Sequence, residues 1–387
     1  MLSAAIVVTL LTAAAIVVGW GGRRVAGPQP LSLPGFMALL FTSGLDVGLV
    51  MLPLTEFPVY AREPTYAFAN PLAIAFGSWG FLVWGFYFLT TFYFVALEPR
   101  LRLFAIPAVK AVNNLVIIGT CAFTAHLLFL NLPFYAPVLG GAMQYFVVAV
   151  TILLSVLTST HIRYIRVLSV GSMWTFAALV AAMWWRSEMG IAGLAASAAD
   201  LGEYFRHLPR FVLPMSDYHA FYLFWWYSWS IMIGQFVARF VGGMPTWQLA
   251  AAMLVMPSIP IAAWFSVLYF YFRQQLVVPP ALSAAMIAVG VLFVVNSLDS
   301  LIRLYSDNLN LTTRRLGTPA YVASHWLLMC VLVLAFQLTP LRIEWIGLVV
   351  IGLYAAIYGL LVQHRGRLTT PLSWPERSRR QSCPGQS

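Results

Sequence analysis

Charge is scarce in this chain. Of 387 residues only 9% are Asp, Glu, Lys or Arg, whereas a soluble globular domain carries about 25%. An ordinary soluble fold is thereby excluded. With 61% hydrophobic residues and a mean hydropathy of +0.84, the chain belongs in a bilayer. Cysteine is also rare. Cys121, Cys330 and Cys383 are scattered without metal-ligand spacing, two of them within apolar runs, so neither a disulfide framework nor a zinc site is expected. Catalytic signatures are missing too: there is no Gly-x-Ser-x-Gly elbow, Walker phosphate loop or Cys-x-x-Cys pair. His126, His219 and His325 stand singly, without Glu-x-x-His or His-x-x-x-His partners. An enzyme or an ATP-driven pump would have no visible chemistry, and no cofactor is implied.

What the chain has is long apolar runs. A hydrocarbon core of about 30 Å needs roughly 20 apolar residues per helical span, and eleven stretches qualify, near 2–20, 36–58, 69–97, 106–131, 135–158, 166–186, 218–240, 247–272, 279–302, 320–338 and 343–363. The first lacks basic residues at its start and reads as a retained helix rather than a signal peptide. The fold class is therefore all-α and polytopic. The net charge of +10 would suggest nucleic acid in a soluble protein, but here the basic residues sit in short loops. Counting loops alternately, 16 of the 22 Lys and Arg residues fall on one side, among them Arg23, Arg24, Arg100, Arg102, Lys110, Arg239, Arg303, Arg314 and Arg315. Arg62, Arg186, Arg206, Arg210, Arg273 and Arg342 fall on the other. The positive-inside rule then puts the C-terminus in the cytoplasm and the N-terminus outside a cell (inner) membrane. Residues 187–217 read as an external amphipathic segment. Residues 365–387, rich in Pro, Ser and Arg, read as a disordered basic tail that meets anionic lipid.

Several groups of residues point to a solute. Trp225-Trp226-Tyr227-Ser228-Trp229-Ser230 lies inside one apolar stretch, and Trp79, Trp84 and Tyr87 lie in another. On a continuous helix the latter three share one broad face. Such rings either form an interfacial belt or core, or build a cage for an ammonium group, in which each good cation–π contact contributes about 2 kcal/mol. Gly44-Leu45-Asp46-Val47-Gly48 reads either as small-residue helix packing or as a site of unwinding whose carbonyls bind a cation. An intramembrane carboxylate such as Asp46 is costly and a functional candidate by default. Glu56, before Phe57-Pro58, fits a helix end as well as a ligand role. Asn296-Ser297-Leu298-Asp299-Ser300 offers oxygen ligands suited to a hard cation. Thr120 and Thr124, one turn apart, either bond the preceding turn or do likewise.

In order along the chain, the Gly44–Gly48 motif, Trp79, Trp84, Tyr87, the Trp225–Ser230 segment and Ala238-Arg239 resemble the betaine/choline/carnitine transporters. Glu56, Leu157 to Leu168, Gly202-Glu203-Tyr204 and Ser297 to Ser300 support the likeness, which runs from about residue 30 to 310. The resemblance implies a leucine-transporter-type fold, with a ten-helix core of two inverted five-helix repeats (31–186 and 218–364). The N-terminal helix and basic loop (1–30) would lie at its periphery. It implies an aromatic box of Trp79, Trp84, Tyr87 and Trp226, with Trp225 and Trp229 lining the pathway. One sodium site would use the carbonyls of Thr42 and Leu45 with the side chains of Asn296 and Ser297, and a second Thr120 and Thr124. Trimers are implied as well. The chain departs from the pattern in lacking the family's first helix, in placing Asp46 where the motif has its third glycine, and in placing Asn296 where a hydroxyl residue stands.

The expected function is import of a small cationic or zwitterionic methylammonium solute, of the choline, glycine betaine or carnitine type, by alternating access coupled to H+ or Na+. Asp46 would serve as proton carrier or counter-charge. The alternatives are an ion-independent exchanger and a non-transporting membrane sensor or subunit. The charge pattern makes a direct prediction. In whole cells, a cysteine introduced by Arg62→Cys is labelled by a membrane-impermeant maleimide, and one introduced by Arg102→Cys is labelled only after permeabilisation. The reverse pattern would invert the topology.

Overall fold

Within lipid only a helix or a closed barrel satisfies its own backbone N–H and C=O groups, so runs of this length and composition must be helical. The computed structural model describes residues 1–45 and 47–364, nearly all of them in helices. Asp46 and the basic tail 365–387 lie outside the described residues. Among those described, nine helices are long and apolar enough to cross a bilayer, or ten when a bent pair is taken as one span. This is a multi-pass membrane protein.

The first span is α1 (Leu2–Trp20). The bent pair is α2 (Leu33–Ser43) and α3 (Val47–Arg62), whose axes differ by 56°. The next span is assembled from α4 (Pro71–Trp79), α5 (Leu82–Phe92), a π-helical turn and α6 (Glu98–Leu101). It is followed by α7 (Pro107–Tyr135), α8 (Gly141–Ser159) and α9 (Ile162–Ser187). The segment that follows holds α10 (Gly190–Arg206) and α11 (Leu208–Val212). Beyond it run α12 (Asp217–Val237), the interrupted pair α13 (Thr246–Leu254) and α14 (Ser258–Arg273), α15 (Pro280–Leu309), the short α16 (Thr313–Leu316), α17 (Thr318–Leu338) and α18 (Ile343–Gln363).

The eleven expected stretches correspond to these ten spans and α12. At 21 residues α12 is about 31 Å long, enough to cross, but its Trp, Tyr, Ser and His content makes it less apolar than the rest. It does not need to be apolar outside, because every residue from Trp225 to Gly234 is buried within the protein. By contrast, α1 buries only Leu2, Ile6, Thr9 and Ala13, a stripe at helical spacing. Thr9 Oγ1 holds it against Tyr227 Oη at 2.9 Å.

Packing in the first half of the chain has counterparts in the second. α2 packs on α9 as α12 packs on α18, α8 on α15 as α17 on α7, and α3 on α14 as α12 on α5. Counterpart helices stand five crossings apart and so run in opposite senses. Loops grouped on one side by alternate counting also meet in space. β1 (Arg24–Ala26) pairs antiparallel with β2 (Gly242–Pro245), and Arg239 pairs with Asp307 at 3.3 Å. On the opposite side Arg273 pairs with Asp200 at 3.2 Å, and Glu203 Oε2 accepts from Asn70 Nδ2 at 2.8 Å.

A close crossing on this frame is α5 against α12, where a Cβ on Gly234 would overlap Thr90. Thr90 Oγ1 also donates to the Ser230 carbonyl at 2.7 Å. Overpacking so close a contact costs about 1–3 kcal/mol. Gly234→Ala therefore lowers the thermal unfolding midpoint of the detergent-purified protein; an unchanged midpoint would disprove the close approach.

Candidate functional site

The sequence places Trp79, Trp84 and Tyr87 on one face of a single helix, but the structure interrupts that helix. α4 ends at Trp79, Gly80 is extended (φ −98°, ψ 170°), and Phe81 takes a positive φ of 26° before α5 begins at Leu82. A left-handed backbone is unfavourable for a side chain this large; the Phe81 N–H is held by Ser258 Oγ at 3.0 Å. It is this break, rather than helical periodicity, that brings Trp79 and Trp84 together, and Trp84 Nε1 donates across it to the Trp79 carbonyl at 3.1 Å.

Facing the break, α12 supplies Trp225 and Trp226. Trp79 meets Trp226 edge to face at 5.2 Å between ring centroids and Trp225 at 5.5 Å. Tyr87 lies 5.9 Å from Trp226, and Trp84 lies 5.2 Å from Tyr87. These five rings, drawn from α4, α5 and α12, form one cluster closed to solvent. Trp226 Nε1 donates to the Ser78 carbonyl at 2.7 Å, while the indole N–H groups of Trp79 and Trp225 have no partner among the described residues. Trp229, one turn further along α12, is buried with its N–H likewise unpartnered, and among the described residues no ring pairing joins it to the five.

The cluster abuts the break between α2 and α3. A helix end leaves its last carbonyls unpaired, and here two receive side-chain donors: Tyr87 Oη to Gly44 O at 3.5 Å and Ser297 Oγ to Leu45 O at 2.7 Å. The structure thus brings Leu45 and Ser297 into direct contact. Asn296 turns the other way, donating to Ser172 Oγ on α9 at 2.5 Å and to the Leu292 carbonyl at 2.9 Å. Its Oδ1 is buried without a partner among the described residues. The Thr42 hydroxyl bonds back to Ala38 O at 2.8 Å, and Thr124 does the same to Thr120 O at 3.2 Å. Thr120 Oγ1 is buried and unpartnered among the described residues. Asp46 lies outside the described residues.

Glu56, which the sequence offers as a helix end or a ligand, meets two tyrosines that the sequence reading did not single out, and through them the cluster extends along α12. Glu56 Oε1 accepts from Tyr218 Oη at 2.5 Å and also from Tyr222 Oη. Tyr222 in turn touches Trp79 at 5.8 Å and Trp225 at 5.5 Å. Tyr218, Tyr222, Trp225 or Trp226, and Trp229 recur every three or four residues, a stripe that the sequence displays. That Glu56 would meet its tyrosines could not be read, because they lie more than 160 residues away.

Gly44 sets how closely Trp84 approaches: a Cβ there would come within 3.2 Å of the indole. If these rings hold the solute, Gly44→Ala displaces Trp84 and weakens solute binding severalfold. Trp226→Ala costs at least tenfold, or about 1.4 kcal/mol. Isothermal titration calorimetry of the two variants measures both effects.

No family model matches the chain. Short stretches resemble curated transporters. One is 34% identical over 77 residues to uncharacterized transporters of Mycobacterium tuberculosis and Mycobacterium bovis, covering 18% of this chain and 13% of theirs. Another is 28% identical over 91 residues to glycine betaine transporter 1 of Vibrio parahaemolyticus, covering 20% of this chain and 17% of that protein. The matched stretches thus span less than a fifth of these relatives. A Na+-coupled sialic acid symporter, solved substrate-bound and outward-open, superposes with a TM-score of 0.46 at 15% identity, over 93% of this chain and 84% of that one. All of these named proteins are transporters, and none is an enzyme.

Proposed function

We propose that this chain is a secondary transporter that imports a quaternary or trimethylated ammonium solute by alternating access, driven by H+ or Na+. The observation that carries this reading is the convergence of Trp79, Trp84, Tyr87, Trp225 and Trp226 into one buried cluster beside the break between α2 and α3. Indole and phenol faces attract a methylated cation most strongly where water is excluded. A micromolar affinity corresponds to about 8 kcal/mol, within reach of a few such contacts of about 2 kcal/mol each plus methyl burial. The unpartnered N–H groups of Trp79, Trp225 and Trp229 suit an acceptor on the same solute, a hydroxyl or a carboxylate, because a buried donor left unpaired is costly.

Coupling would act at the same break. An ion held by the carbonyls of Thr42 and Leu45 with Ser297 would tie α2 to α15, and Thr120 with Thr124 would supply a second set of oxygens. Asp46, next to Leu45 in sequence, would carry the proton or act as counter-charge to a cationic solute. The two inverted repeats would rock about this point in a cell membrane with the C-terminus cytoplasmic. The basic tail would rest on anionic lipid, and three copies would form a homotrimer.

Uptake of labelled choline, glycine betaine and carnitine into proteoliposomes, under separately imposed Na+ and H+ gradients, tests the proposal. One solute is expected to accumulate under one gradient, with Asp46→Asn abolishing any proton-driven component. Counterflow without any gradient would instead show an ion-independent exchanger. A folded protein that neither takes up nor exchanges these solutes would rule out the assignment.

A further inference from the structure

Two residues beyond Ser297, α15 carries a carboxylate that the aromatic cluster does not use. Asp299 is fully buried, in a region where α15 packs against α2, α7 and α8. Ser300 Oγ donates to Asp299 Oδ1 at 3.1 Å and stands 3.3 Å from Ser43 Oγ at the end of α2. Thr158 of α8 lies beside the carboxyl, while its own hydroxyl donates to the Ser155 carbonyl at 3.0 Å. Asp299 Oδ2 has no hydrogen-bond partner among the described residues.

The charged group that acts on this carboxyl, Arg303, does so at a distance and forms no ion pair with it. Arg303, one turn along α15, directs Nη1 to the Ser159 carbonyl at 3.4 Å, and among the described residues no ion pair reaches Asp299. From α7 the nearby titratable group is the Cys121 thiol. A buried carboxylate without a paired counter-charge is expensive, and within a membrane span it marks an ion pathway by default. A hydroxyl whose proton is given to a backbone carbonyl presents lone pairs to a carboxylate. A hard cation, which prefers carboxylate and hydroxyl oxygens, reconciles the two.

We propose that Asp299, Ser300, Ser43 and Thr158 bind Na+, at a site distinct from the contact between Leu45 and Ser297. Three spans contribute: Ser43 comes from the bent span, Thr158 from α8 and the other two from α15. Occupancy therefore pins the end of α2 to α15 and α8. The next residue, Gly44, is the one against which Trp84 packs, so the ion would fix the position of a ring in the proposed solute cluster. That consequence for transport rests on the function proposed above; binding of the ion itself does not.

The test is binding of 22Na+ to the purified full-length protein by scintillation proximity, with unlabelled Na+ and K+ as competitors. Saturable binding displaced by Na+ and not by K+ is expected. Asp299→Asn should weaken it at least tenfold, and Thr158→Val, which keeps the volume and removes one oxygen, severalfold with an unchanged thermal unfolding midpoint. The site is overturned by a folded wild type without saturable 22Na+ binding, including one whose uptake is driven by protons alone. Wild-type affinity in both variants, or loss in Ser297→Ala while Asp299→Asn still binds, overturns it equally. A protein that takes up solute but binds no 22Na+ removes only this site. One that binds 22Na+ but none of the methylammonium solutes removes only the solute assignment.

Discussion

Backbone that leaves the helix inside a bilayer must find its hydrogen bonds within the protein, because lipid offers none. Two of the spans are interrupted in the interior of this protein where the aromatic cluster gathers: between α2 and α3, and between α4 and α5. The groups exposed there are met by aromatic and hydroxyl side chains of the cluster and its neighbours. Tyr87 serves Gly44, Ser297 serves Leu45, Trp84 serves Trp79 and Trp226 serves Ser78. The third interruption, ahead of α14, contributes Ser258, which holds the Phe81 N–H. The same bonds that make the breaks tolerable therefore fix where the rings stand.

This arrangement pre-organises the cluster. Each indole has two rotatable bonds, and a ring fixed by its own N–H and by edge-to-face neighbours loses little further freedom when a ligand arrives. α10 and α11 close over the cluster's surroundings: Glu203 binds the Asn70 that caps α4, and the Phe211 ring packs against Gly77.

Much of the fold was legible because membrane insertion depends on local composition. Apolar length gave the spans, and three of the loops grouped together by charge counting, those of Arg24, Arg239 and Arg303, meet through the β1–β2 pairing and the Arg239–Asp307 ion pair. The identity of the aromatic residues was legible too, since Trp and Tyr in quantity are conspicuous in an apolar run. The geometry assigned to Trp79, Trp84 and Tyr87 was not, because it assumed an unbroken helix through Gly80 and Phe81. Asn296 and Ser297 are adjacent in sequence, yet consecutive helical residues point about 100° apart. One reaches Leu45 and the other Ser172.

The sequence by itself determined a helical, multi-pass membrane protein, the grouping of its loops and the stock of rings and oxygens available inside it. Hydropathy and charge act residue by residue against the solvent, so they can be read without knowing the fold. Only the tertiary structure decided where helices break, which rings meet, and that Ser43 and Leu45 find Ser300 and Ser297 more than 250 residues away. Those outcomes depend on packing between distant segments, and a partner at that separation leaves no periodic trace in the sequence of either one.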